Sequence, residues 1–383
     1  MRILVIMNGS SSGYSGGDLH TIAVANHWSM SHHVAVFLPR GSSSEIAALL
    51  SSRIQVLPDS ARRDRGSRNG RHGLMVRYLG RTVAASFKVI RSRGDWDVIV
   101  ASSHYPFDLL PALFGYRSGT CLVTYWHHHA QANADRPRWV RLLIRFSELW
   151  ATAALQGSHA VVLTSNSGTR DYLLSSGIHP LQVELTRNGS SISLTPSCAS
   201  PSVSGPDKFR RTVLFCGRLS RLKGTRDLAL LAARLVKDVE HVDIIVIGQD
   251  GDDGVEVRES LSSEIATGRV VFTGFIEEEE KICLFRSAHV VIVPSYEEGW
   301  SLTVGDGLQA NCWVVAYDLP AVREAFSVGP QYVPVGNWEE MLAQVKECLG
   351  MARPDHSSNE LSWTSIADND MSVIQRFTVE RKH

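Results

Sequence analysis

Residues 294–317 read PSYEEGWSLTVGDGLQANCWVVAY. The apolar run 289–294 leads into this stretch and reads as a buried strand. An acidic, glycine-containing turn follows at Glu297, Glu298 and Gly299, a short helix starts near Ser301, and a second apolar strand starts near Trp313. A turn that opens a helix presents free backbone N–H groups and the positive end of a macrodipole, which suits an anion such as phosphate. Two carboxylates, Glu298 and Asp306, flank the turn. Carboxylates beside a phosphate cradle fit a sugar attached to that phosphate, because sugar hydroxyls need acceptors. On spacing alone, an ordinary β-turn-α unit with a solvated acidic loop explains the stretch as well.

The same pattern extends outward on both sides. Strands are predicted at 212–216, 242–247, 270–273, 289–294 and 313–317, with helices near 225–237, 277–286 and 302–310. Alternation of this kind implies a parallel sheet covered by helices on both faces. Upstream, residues 190–206 are dominated by Ser, Pro and Thr without apolar period, which reads as a linker. Before it, strands at 2–7, 34–38, 97–101, 121–125, 159–164 and 183–186 form a second series of the same type. The expected architecture is α/β, two Rossmann-like domains with an interdomain cleft. Its expected parts are a first Rossmann-like domain over 1–189, a linker over 190–206, a second Rossmann-like domain over 207–360 and a helical segment over 361–383 packing back toward the first domain. At 383 residues, two domains are also the natural prior.

Within the first half, the loop 8–18 holds Gly9, Gly13, Gly16 and Gly17 but lacks the G-x-G-x-x-G dinucleotide spacing. Its glycines allow close approach of backbone to a phosphate or sugar, and a flexible turn is the plain alternative. The strand 121–125 runs into Trp126, His127, His128 and His129, at the sheet edge where α/β folds bind ligands. Three adjacent histidines cannot converge on one point, so no metal is expected there. Residues 62–93 are rich in arginine and read as a surface loop leading into a helix. Over 138–150 Arg138, Arg141 and Arg145 share one helical face and Trp139, Leu142, Leu143, Phe146 and Trp150 another. Such a helix can lie on an anionic membrane surface. The default expectation is that it packs on its own domain with its arginines in solvent.

Composition sets the outer bounds. Hydrophobic content of 44% and charge of 20% are those of an ordinary globular protein. Of 39 cationic and 39 anionic residues, 1–190 hold 20 and 11, leaving 19 and 28 for the rest. The basic segment lacks aromatic interleaving, so nucleic acid is not an expected partner. The six scattered cysteines form no Cys-x-x-Cys pair and suit a reducing compartment. No apolar run reaches membrane-spanning length, and 3–7 is too short for a signal-peptide core. A cytoplasmic, membrane-peripheral location is the expectation. Asp250-Gly251-Asp252 reads as a solvated turn with no metal.

After the strand 212–216 comes Gly217-Arg218-Leu219, then Lys223-Gly224. Two cations five residues apart, between a strand and a helix, can neutralise a diphosphate. Together with Glu298-Gly299 and Asp306, these residues resemble retaining GT-B glycosyltransferases of family 4 (glycosyl transferases group 1). The hallmark of that family is a Glu, seven intervening residues and a second Glu, and Glu298 and Asp306 keep the spacing. Pro294-Ser295, Gly274, Asn188-Gly189 and Gly16-Gly17 add to the resemblance, which covers nearly the whole chain.

The resemblance implies a role for each matching position. Arg218 and Lys223 would bind the donor diphosphate and stabilise the departing charge. Glu298 would contact the donor sugar, and the backbone of Gly299, Trp300, Ser301 and Leu302 the sugar and phosphate. Asp306 would hold the ribose, with base recognition by backbone around Phe275 and Ile276. Gly16 and Gly17 would approach the phosphate, and His127 the reacting sugar. Such enzymes use a nucleotide-sugar as substrate and need neither cofactor nor catalytic metal. The acceptor is unspecified, with a lipid-linked one hinted at by the basic helix. This chain departs from the pattern at Asp306, one methylene shorter than Glu, and at Trp300, where Phe is usual. A sugar-nucleotide epimerase of the same architecture and a non-catalytic nucleotide-sugar-binding subunit are the rival readings.

Overall fold

The computed structural model describes residues 1–9, 15–39, 43–58, 71–127, 129, 138–192, 210–356 and 361–380. The chain divides into two compact units, Met1–Asn188 with Ser362–His383, and Gly189–Leu361. In the first unit the order is β1 (Arg2–Ile6), α1 (Gly16–Trp28), β2 (His33–Leu38), α2 (Ser43–Leu49), β3 (Gln55–Pro58), α3 (Arg71–Arg91), β4 (Val98–Ala101), α4 (Pro106–Gly115), β5 (Cys121–Trp126), α5 (Arg138–Gln156), β6 (Val161–Thr164), α6 (Ser167–Ser175) and β7 (Val183–Leu185). The second unit continues with β8 (Arg211–Cys216), α7 (Thr225–Asp238), β9 (Val242–Ile247), α8 (Gly254–Ser260), α9 (Ser262–Ala266), β10 (Val270–Gly274), α10 (Glu278–Ser287), β11 (Val290–Val293), α11 (Leu302–Gln309), β12 (Trp313–Tyr317), α12 (Pro320–Ala325), β13 (Gln331–Val333) and α13 (Trp338–Gly350). The last helix, α14 (Trp363–Glu380), returns to the first unit.

Both sheets are parallel throughout their described pairings. The first runs β3-β2-β1-β4-β5-β6-β7 and the second β10-β9-β8-β11-β12-β13. The central strands are buried along their whole length, as helices on both faces require, and this explains their continuous Val/Ile/Leu runs. In each order the chain reverses direction once, at β1/β4 and at β8/β11. Loops at such a reversal point diverge and leave a crevice beyond the strand ends.

Helix α1 begins three residues earlier than the expected start near 19. Ser15 caps it: its Oγ accepts from the Asp18 N–H at 3.3 Å, and Asp18 Oδ2 accepts from the Ser15 N–H at 2.8 Å. This reciprocal box makes Gly16 and Gly17 the first helical residues instead of loop. Of the linker expected over 190–206, Ser190 and Ile192 are buried in the second unit, and 193–206 lie outside the described residues. The arginine-rich stretch 62–70 also lies outside them, and α3 follows it.

Helix α5 departs from the default expectation. It turns Glu148, Ala151, Thr152 and Leu155 toward the sheet, while Leu142, Phe146 and Leu149 face solvent. The helix joins the buried cluster on that face of the sheet through Ala151 and Leu155, in its C-terminal half, and leaves the apolar residues before them in solvent.

Candidate functional site

In the second unit the loops after β8 and β11 meet at the reversal point. Gly224 stands in the left-handed region at φ 67°, and a β-carbon there would fall 1.8 Å from the Pro294 carbonyl oxygen. Only glycine lets the two loops pass so closely. The Tyr296 N–H then donates to the Leu222 carbonyl at 2.9 Å, fixing one loop to the other. This contact brings Lys223 to Glu298: Nζ lies 2.6 Å from Oε1, which also accepts from Ser295 Oγ at 2.8 Å. The carboxylate is largely buried and the ammonium about one-third exposed. Arg218, on the same loop, is exposed, with no ion pair or side-chain hydrogen bond among the described residues. One cation is thus spent on Glu298 and the other is uncommitted.

The turn into α11 is strained and uncapped. Ser301 occupies the N-cap at φ 77° and ψ 90°, with no side-chain cap on the helix. A non-glycine residue at such φ costs on the order of 1–3 kcal/mol and persists where surrounding structure imposes it. Its Oγ and the Trp300 Nε1 are both buried without a hydrogen-bond partner in the protein. The Trp300 ring is wedged edge-on against Phe326 at 5.1 Å, and Thr303 Oγ1 donates to the Cys216 carbonyl at 2.9 Å. An uncapped helix start carries positive potential, and buried donors beside it suit acceptors on a ligand.

Asp306 sits one turn further along and is buried. Its Oδ1 accepts from Ser190 Oγ at 2.5 Å, and its Oδ2 lies 3.3 Å from Lys281 Nζ. Lys281 also meets Glu278 at 2.7 Å. Burial by itself lowers the lysine pKa, but the carboxylates of Asp306 and Glu278 outweigh it and hold the ammonium above the ordinary lysine range. Burial also pushes the neighbouring Cys216 thiol up to about 12, so it stays protonated and unreactive. Phe275 and Ile276 follow Gly274 at the end of β10; Ile276 packs into the core of this unit and Phe275 is exposed.

The first unit builds its own arrangement. His127 lies over the start of α1, where a β-carbon at Gly17 would fall 2.7 Å from its ring, and its Nε2 is 3.2 Å from the Ser102 carbonyl. His129 turns elsewhere, stacking on Tyr172 at 3.7 Å with Nδ1 3.2 Å from Glu148. His128 lies outside the described residues. Beneath His127, His20 bridges Asn188 Oδ1 at 2.6 Å and Asp370 at 3.4 Å, and Tyr125 Oη donates to Asp370 at 2.9 Å.

Within the second unit, the structure therefore gathers Lys223, Glu298 and Ser295 at one point and Asp306, Lys281 and Ser190 at another. Within the first, it gathers Gly17 and His127. Sequence reasoning missed Lys281, because it ends a run of four glutamates that reads as a solvated helix face. It missed Ser190, which opens the Ser-rich stretch, and Asp108, whose carboxylate knits the loops after β1 and β4. Asp250 is engaged by Arg258 at 3.0 Å. Among the described residues no group of three or more His, Cys, Asp or Glu is placed to hold a metal ion.

Solved glycosyltransferases share this architecture. Anabaena Alr3699/HepE, solved in complex with UDP and glucose, matches with a TM-score of 0.68 at 18% identity, over 100% of this chain and 97% of its own. WaaG, a glycosyltransferase involved in lipopolysaccharide biosynthesis, matches with a TM-score of 0.70 at 12% identity, over 98% of each chain. The fold is the GT-B fold of glycosyltransferases, with two Rossmann-like domains. Residues 210–350, within the second unit, match the family model Glycosyl transferases group 1.

Among curated proteins, the chain is 25% identical to the alpha-maltose-1-phosphate synthase of Mycolicibacterium smegmatis, over 58% of this chain and 64% of that protein. It is 27% identical to the D-inositol 3-phosphate glycosyltransferase of Mycolicibacterium vanbaalenii, over 49% and 46%. The matches thus span about half to two thirds of the length of these relatives.

Proposed function

We propose that this protein is a retaining glycosyltransferase that moves a sugar from a nucleotide-diphosphate-sugar to an acceptor hydroxyl. The observation that carries the reading is the Lys223–Glu298 contact at 2.6 Å beside the uncapped start of α11, with Arg218 uncommitted on the same loop. The helix start and Arg218 receive the diphosphate, and the charge that grows on it as the glycosidic bond breaks falls on donors already in place. Lys223 serves both sides, holding Glu298 toward the sugar hydroxyls while contributing its charge to the leaving group. Asp306 with Lys281 lines the ribose side, and the backbone at Phe275 and Ile276 meets the base. In the first unit, His127 over the start of α1 is assigned to the transferred sugar.

Charge neutralisation by fixed cations makes a divalent metal unnecessary in this scheme, so turnover is expected to persist in excess chelator. The acceptor class we favour is lipid-linked, in keeping with a cytoplasmic, membrane-peripheral enzyme of glycan or glycolipid synthesis.

The decisive experiment measures turnover of a nucleotide-sugar panel with and without acceptor, and reads the anomeric configuration of the product. Arg218→Ala and Lys223→Ala are each expected to lower kcat about a hundredfold or more, with unchanged circular dichroism. Undiminished rates in both variants would sink the assignment. Conversion of the donor without acceptor would identify an epimerase, and binding without turnover a non-catalytic subunit.

A further inference from the structure

The first unit carries an apolar surface that its own core does not explain. Helices α3, α4 and α5 lie side by side on one face of its sheet, α4 packing against both others. Their inward residues, among them Val89, Leu109, Ala112, Ala151 and Leu155, form a single buried cluster. Their outward residues are also apolar. On α3, Leu79, Val83 and Phe87 follow one another at four-residue spacing, with Leu79 67% and Phe87 62% exposed. On α5, Leu142, Phe146 and Leu149 form a second stripe, with Leu142 67% and Phe146 72% exposed. Side chains of this size in two exposed rows make an apolar surface that monomeric proteins rarely keep.

The flanking charge identifies what covers it. Over 78–91, α3 holds Arg81, Lys88 and Arg91 and no acid; Arg91 is exposed beside the end of the row, whereas the Lys88 ammonium turns back over the buried Phe37 ring, 5.5 Å from its centre. Helix α5 holds Arg138, Arg141 and Arg145, and its single acid, Glu148, is turned inward and buried. Apolar rows edged by cations of one sign match the acyl–headgroup boundary of an anionic bilayer, where the rows enter the apolar layer and the cations meet lipid phosphates. No helix among the described residues is long and apolar enough to cross a membrane, so the contact is interfacial.

We infer that the outward face of α3 and α5 docks the protein onto an anionic phospholipid membrane, with both helices lying in the plane of the interface. This goes beyond the glycosyl-transfer reading and does not depend on it, since the face stands on exposure and charge alone. A bilayer is favoured over a second protein because the exposed cations at the edge of this face, Arg91, Arg138 and Arg145, repel a copy of the same face, while the apolar rows require burial.

The test is flotation of the purified chain with vesicles of phosphatidylcholine containing about one-third phosphatidylglycerol, against vesicles of phosphatidylcholine alone. The anionic vesicles are expected to carry about tenfold more protein at low salt, and much of that excess is lost at high salt. Leu142→Glu with Phe146→Glu should reduce binding to the neutral background, and Phe87→Glu on the other helix should reduce it several-fold. All three side chains are exposed, so melting temperatures should not fall, which separates lost docking from lost folding. Three results would each overturn the inference. The wild-type chain could stay behind with anionic vesicles at low salt. The charged variants could float as well as wild type. A wild-type dimer, made monomeric by Phe146→Glu and indifferent to vesicles, would show that a second copy covers the face.

Discussion

At the scale of single residues, Asp306 is the most instructive position. Its spacing from Glu298 is legible in sequence, and so is the missing methylene. Its surroundings are not. Lys281 lies 25 positions upstream in an acidic run, and Ser190 lies in a stretch whose composition reads as linker; both reach Asp306 only through the fold. The shorter side chain is held from both sides, by a hydroxyl on one oxygen and an ammonium on the other. Removing it leaves a buried lysine balanced by Glu278 alone and a buried hydroxyl without its acceptor. Breaking a buried pair in this way costs on the order of 3–5 kcal/mol. Asp306→Ala is therefore expected to lower the melting temperature of the second unit in the absence of any nucleotide. An unchanged melt combined with a raised KM for the donor would show that the carboxylate acts on ligand only. By contrast, the approach of Lys223 to Glu298 was legible, because a cation after one strand and a carboxylate after another are local signals, and the parallel sheet does the rest.

At the scale of elements, the two units solve the same problem with one carboxylate each. Where the order of strands reverses, two loops diverge and something must tie them. In the second unit Glu298 does this through Lys223. In the first it is Asp108, on the opening turn of α4, whose Oδ1 accepts from the N–H groups of Asn8 at 2.6 Å and Gly9 at 3.0 Å. Its Oδ2 accepts from Ser102 at 3.1 Å and Ser103 at 2.5 Å. The sequence offered only an acid near a helix start, a signal shared by many caps, so this tie stayed hidden.

Burial pushes the Asp108 carboxyl from an ordinary 3.8 up to about 7, against the pull of its hydrogen bonds. A folded pKa above the unfolded one means that the native state holds the proton more tightly. The stabilisation from this group is complete below the unfolded value and is lost as pH rises through about 7. Asp108→Asn keeps an oxygen for the two N–H groups and offers an amide to the two hydroxyls, while removing the titration. Melting measured from about pH 5 to pH 8 should fall with rising pH for the wild type relative to this variant. Parallel curves for the two proteins would refute the assignment.

At the scale of the whole molecule, the chain order and the folded units do not coincide. The second unit is inserted between the first unit and its last helix, because α14 returns after Leu361 to complete the first core. The sequence showed a candidate helix there but not what it covers, since its apolar residues have no neighbours in the chain that explain them. In the structure Ile366, Ala367, Met371, Val373 and Ile374 join the cluster built on β1, β2 and α1. The Trp28 Nε1 donates to the Ala367 carbonyl at 2.9 Å, and Asp370 receives Tyr125 and Thr186.

Burial of a large aliphatic side chain is worth about 1.5–3 kcal/mol, so the four in α14 together reach roughly 6–12 kcal/mol. That is comparable to the entire stability of an ordinary domain, about 5–15 kcal/mol. The extended-chain reference makes the sum an upper bound, yet even half of it is decisive for one unit. A chain ending at Leu361 is therefore expected to lose the calorimetric transition of the first unit and keep that of the second, which holds its own two core clusters without α14. Limited proteolysis should then cut within 1–188 and spare 210–356. If both transitions survive the truncation, α14 is an ornament on a core that closes without it, and the dependence argued from Asp370 and its neighbours is wrong.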